Sequence, residues 1–137
     1  MNKAFRAMGV VAISVFTVGV ASAAPGWAWS RRVLGADIDL CTQAAARGMR
    51  SMTGNEPEIN RFDANNVQLH AYRGDEVVFA YCTAAEARPV CGKPRASLKL
   101  QVMSSSDSVV AATARDAVDA AIGPVQIIDC GTELDPI

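Results

Sequence analysis

The chain has 137 residues, with 13 Lys and Arg against 14 Asp and Glu. That length serves one domain and is too short for two independent cores. Residues 1–23 read as an export signal; without them 114 residues remain, 11 basic and 14 acidic. The mature balance lacks the basic surplus that marks a nucleic-acid binder, so no nucleic acid is expected among the partners.

The signal reading rests on three parts. Lys3 and Arg6 give a positive start, Met8–Val20 is uncharged and mostly apolar, and Ala21-Ser22-Ala23 supplies the small residues before a cleavage site. The apolar run falls short of the roughly 20 residues that span a bilayer, so no stable membrane insertion is expected after cleavage. Arg31-Arg32 follows the apolar run, so it is not a twin-arginine signal. Ten Arg against three Lys, with abundant Ala, points to a bacterial, periplasmic or secreted protein.

Residues 24–36, which include Trp27 and Trp29, show no regular period and read as an N-terminal arm. Residues 37–137 form the single domain. Its first helix starts at Asp37, a favourable N-cap, and carries Cys41, Ala44, Ala45, Gly48, Met49 and Met52 on one narrow side. Gly54 and Pro57 end it.

Asn65–Cys82 reads as a hairpin turning at Gly74-Asp75. That register sets Arg73 opposite Glu76, Tyr72 opposite Val77, His70 opposite Phe79 and Gln68 opposite Tyr81. Val67, Leu69, Ala71, Val78, Ala80 and Cys82 share the other face, which suits packing under helices. Leu98–Met103 alternates as a third strand. Ser104–Asp107 offers N-caps for a second helix, which runs to Ile122 with Val110, Ala114, Ala117, Val118 and Ala121 as its packing side. Val125–Asp129 reads as a fourth strand. The expected fold is α+β, in the order α-β-β-β-α-β. A four-stranded mixed sheet, with strands three and four parallel through a right-handed crossover, carries both helices on one face.

Four cysteines in an exported chain imply two disulfides. The short spacing favours Cys82–Cys91, which leaves Cys41–Cys130. Cys82 also faces the helices, so a Cys41–Cys82 bond is the competing pairing and would set the first helix over the hairpin. No CxxC is present, which counts against a thioredoxin-like site or a zinc ribbon.

No motif assigns a catalytic residue, a cofactor or a metal. His70 is the single histidine, so a histidine-dependent enzyme must use it. Met49 and Met52 lie one turn apart and have the thioether chemistry that binds Cu(I), the basis of an alternative reading as a small-ligand or copper carrier. Arg73-Gly74-Asp75 matches an integrin-read tripeptide, but Gly-Asp is also what a tight turn requires. The outer hairpin face, Gln68, His70, Tyr72, Val77, Phe79 and Tyr81, combines apolar bodies with polar tips, the chemistry of contact surfaces. The expectation is a non-enzymatic exported binding module of interaction, inhibitor or immunity type. Its partner is another envelope protein or a second copy, as a homodimer.

Overall fold

A computed structural model describes residues 25–128 and Cys130. The expected export signal and the acidic tail lie outside the described residues. The order is β1 (Gly26–Asp37), α1 (Ile38–Thr53), β2 (Glu58–Asp63), β3 (Asn66–Arg73), β4 (Glu76–Ala84), β5 (Arg95–Ser104) and α2 (Ser108–Ile122). The class is α+β. The five strands form one sheet in the order β1-β5-β4-β3-β2, and every neighbouring pair is antiparallel.

The strands differ from the sequence expectation in three places. Residues 26–37 are not an arm but β1, paired along β5 from Gly26↔Ser104 to Val33↔Ser97. Its alternation is hidden because Trp27, Trp29 and Val33 face outward, while the inner face starts with small or polar residues and gains a large apolar one only at Leu34. Arg32 on the inner face meets α2: its Nε donates to Asp119 Oδ1 at 3.1 Å and its Nη2 to the Gly123 carbonyl at 2.7 Å. The second change is β2, a polar edge strand hydrogen-bonded to β3. The third is the expected parallel strand at 125–129. Among the described residues it reduces to one parallel bridge, Gly35↔Gln126, beside β1 rather than the third expected strand.

The helices are as the capping pattern predicts. Asp37 Oδ1 accepts the Leu40 N–H at 2.9 Å, and Asp107 Oδ1 accepts the Val110 N–H at 2.8 Å. Gly54, with φ 73°, ends α1 in the left-handed conformation that a side chain disfavours. The buried stripe of α2 is Ala111, Ala114, Val118 and Ile122; Ala117 and Ala121 face solvent instead of the core. Both helices pack on the face formed by Val67, Leu69, Val78, Ala80, Leu98, Leu100 and Val102. The hairpin register is as read from the sequence at all four expected pairs.

The disulfides are Cys41–Cys82, with Cα atoms 6.0 Å apart, and Cys91–Cys130, at 5.4 Å. Cys82–Cys91 and Cys41–Cys130 are therefore corrected. Cys82 lies on the inner face of β4, directly under α1, and is fully buried. Cys91 sits with Gly92 in a tight two-residue turn, both at positive φ, closed by paired bonds between Val90 and Lys93. The two positions belong to different layers, and proximity in sequence does not bring them together.

Candidate functional site

Strand alternation and register place four cross-sheet rows on the face opposite the helices. The first is Trp27, Met103, Val77 and Tyr72. The second is Trp29, Gln101, Phe79, His70 and Glu58. The third is Arg31, Lys99, Tyr81, Gln68 and Asn60. The fourth is Val33, Ser97, Thr83 and Asn66. All six residues expected at the contact surface, Gln68, His70, Tyr72, Val77, Phe79 and Tyr81, stand on this one face.

Both tryptophans join them. An arm folded over the rings would bury Trp27 and Trp29; as β1 residues they extend the face and are 57% and 51% exposed. Tyr72 is 61% exposed, while His70, Phe79 and Tyr81 are partly shielded by one another. The His70 and Phe79 ring centroids are 5.9 Å apart, and Phe79 stacks on Tyr81 at 6.2 Å with 16° between planes. Tyr72 meets His70 edge-on at 5.8 Å. Lys99 Nζ lies 5.8 Å from the rings of both Trp29 and Tyr81, within the range of a cation–π contact. Among the described residues, the loop after α1 borders the face only beside His70 and Tyr72, where Asn55 Nδ2 donates to the Tyr72 carbonyl at 2.7 Å. Both helices pack on the opposite face.

Charge is unevenly spread across the face. Glu58 stands at the β2 edge, with Oε2 3.4 Å from His70 Nε2. The β1 and β5 side carries Arg31 and Lys99. His70 Nδ1 is buried without a hydrogen-bond partner. Among the described residues no serine is paired with His70, and the serines before α2 serve other groups: Ser104 Oγ accepts the Ser106 N–H at 3.1 Å. The Ser105 hydroxyl donates to the Asp75 carboxylate, which holds that carboxyl below its ordinary range. Arg73 Nη2 donates to Glu76 Oε2 at 3.0 Å. The Arg and Asp of the hairpin tripeptide are thus each tied to the fold, as a turn requires.

Met49 is fully buried in the core, and Met52 packs against it. This arrangement makes the pair packing residues of the core. Among the described residues no group of three His, Cys, Asp or Glu side chains is placed to hold a metal ion. No helix of the described residues is long and apolar enough to cross a membrane. Two disulfides are compatible with an oxidising compartment such as the periplasm or the cell exterior. Compared with protein families, curated proteins and solved structures, the chain matches none.

Proposed function

We propose that the protein is a small exported binding module and that the open face of its sheet is the contact surface. The observation that supports this reading is the grouping of Trp27, Trp29, Tyr72, Phe79 and Tyr81 on one face, with both helices on the other. Water contact with so many neighbouring rings is costly, at roughly 25 cal/mol for each Å² of apolar surface left uncovered. Contiguous exposed apolar patches on a monomer commonly mark interaction sites. Aromatic residues with polar tips suit such a site, since their apolar bodies bury while OH and N–H groups find partners. The contact is non-enzymatic and made with an envelope protein or a second copy.

The test compares wild type with Tyr72→Glu and Trp29→Glu. Both side chains are half exposed or more, so neither substitution opens a cavity in the core. Circular dichroism should be unchanged, while the mass by light scattering should fall from dimer to monomer, or the yield of crosslinks to envelope proteins should fall at least tenfold. Folded variants that assemble and crosslink as wild type does would remove this face as the contact surface.

A further inference from the structure

Arg31 and Lys99 are registered partners on adjacent antiparallel strands. Like charges directly opposite each other on a sheet face repel, a pairing that strands ordinarily avoid. Several cations of the fold meet a carboxylate, as Arg32 meets Asp119, Arg50 meets Glu56, Arg61 meets Asp39 and Lys93 meets Asp37, while Arg47, Arg88 and Arg95 meet none among the described residues. What sets Arg31 and Lys99 apart is that two such cations face each other in register. Among the described residues no carboxylate pairs with Arg31 or Lys99. Glu58 and Asp63, the acids on this face, stand on β2, three strands from Lys99, and engage His70 and Asn66. At the usual inter-strand spacing that is roughly 14 Å, beyond the ~10 Å over which exposed charges act in salt.

The two cations border a recess of about 300 Å³, completed by Tyr81, Thr83 and Ser97. Arg31 Nε donates to Ser97 Oγ at 2.8 Å, and Ser97 is 1% exposed. That bond fixes the guanidinium at its base. Its two Nη groups have no protein acceptor among the described residues, and these groups supply the paired donors that grip a carboxylate or phosphate. The hydroxyls of Thr83 and Tyr81 add neutral hydrogen-bonding groups at the wall. Tyr81 and Trp29 add ring faces on either side of the Lys99 ammonium.

We propose that this recess binds a small ring-bearing acid, its anionic group between Arg31 and Lys99 and its ring against Tyr81 or Trp29. The inference rests on the reading of the open face as a binding surface and names the chemistry of one ligand site within it. An anion there neutralises the cross-strand repulsion, so binding stabilises the fold as well as filling the site. The recess is near the lower end of the usual volume range for small-ligand sites, which fits one six-membered ring and its acid group.

The experiment titrates the whole mature protein with four probes, following backbone amides by NMR and the thermal midpoint. Glucuronate and benzoate each carry a carboxylate on a ring, one a sugar and one aromatic; glucose lacks the charge, and inorganic phosphate lacks the ring. One of the two ring acids should shift the amides of Arg31, Tyr81, Ser97 and Lys99 saturably, at least fivefold more tightly than phosphate, while glucose leaves them unmoved. Whichever acid binds tells sugar from aromatic. Arg31→Gln should weaken that acid at least tenfold. Lys99→Glu, which sets a carboxylate opposite Arg31 in place of the ammonium, should abolish the response to the acid. No saturable shift with either ring acid, shifts centred elsewhere, or phosphate binding as tightly as both would overturn the proposal. Loss of assembly in the Tyr72 variant, outside the recess, tests the wider face apart from the ligand site, so either reading is able to fail alone.

Discussion

Cys41 on α1 is bonded to Cys82 on β4, and both are fully buried. The bond holds the first helix across the hairpin's second strand, where Cys82 pairs with Val67 on one side and Leu98 on the other. The second disulfide encloses a sequence separation of 39 residues, close to the 41 of the first. Chain entropy therefore gives both the same worth, about 4 kcal/mol each. Their accessibility differs: Cys91 is half-buried and Cys130 exposed. Thiol attack needs access to a sulfur. Mild reductant under native conditions should accordingly open Cys91–Cys130 alone, with Cys41–Cys82 surviving until the domain unfolds. Timed alkylation and peptide mapping check the order; equal rates would show that α1 opens away from the sheet in the native state.

Gly48 of α1 marks the closest approach to α2. A Cβ placed there would lie 2.4 Å from Ile122 Cγ1, 2.9 Å from the Ile122 backbone nitrogen and 3.1 Å from its Cα. Gly→Ala inside a helix ordinarily stabilises by about 1 kcal/mol. Here the sign should reverse, because two of the three contacts are with backbone that cannot turn aside. Gly48→Ala should lower unfolding free energy by about 1–3 kcal/mol through overpacking, as measured by urea denaturation. A gain in stability would mean that the two helices separate without cost.

The helix caps, the hairpin and its register were legible because each rests on a local rule: a capping carboxylate, a two-residue turn, an alternation of period two. The two edge strands were not. In the first part of β1 the inward positions are Gly26, Ala28, Ser30 and Arg32, too small or too polar to announce a buried face. Leu34 is the one large apolar residue among its inward positions, and Arg32 is satisfied by Asp119 and Gly123 at the distant α2. In β2, Glu58–Asp63 is exposed almost throughout and owes its form to pairing with β3. The six outer hairpin residues were found by alternation, but Trp27, Trp29, Arg31 and Lys99 enter the same face only once β1 is paired with β5. No local pattern states that pairing. The disulfide connectivity failed for the same reason, since it depends on which layer each cysteine occupies.

Asp37 joins β1 to α1 and is nearly buried. Its carboxylate accepts the Leu40 N–H and also lies 3.5 Å from Lys93 Nζ. Asp37→Ala leaves an N-terminal helix donor without its acceptor and should cost about 1–2 kcal/mol. Asp37→Asn keeps the cap oxygen and loses only the partly exposed ion pair, so it should cost less than half as much. Chemical denaturation of both variants separates capping from charge; equal losses would assign the stabilisation to Lys93.

The hairpin tip offers a pH-dependent measurement. The Asp75 carboxyl is held below its ordinary range chiefly by the Ser105 hydroxyl, with its own backbone N–H adding to the effect. A carboxyl whose folded pKa is depressed contributes stability that is fully present above its unfolded value, near 3.9. That contribution is lost as pH falls through the folded pKa. Ser105→Ala removes the principal cause, so the Asp75 pKa should rise toward the ordinary value, as read by NMR titration of its side-chain carboxyl carbon. The stability difference between wild type and Ser105→Ala should then be largest at neutral pH and shrink as Asp75 takes up its proton in acid. A midpoint unmoved by the substitution would show that the Asp75 backbone N–H, not Ser105, sets the acidity of the turn.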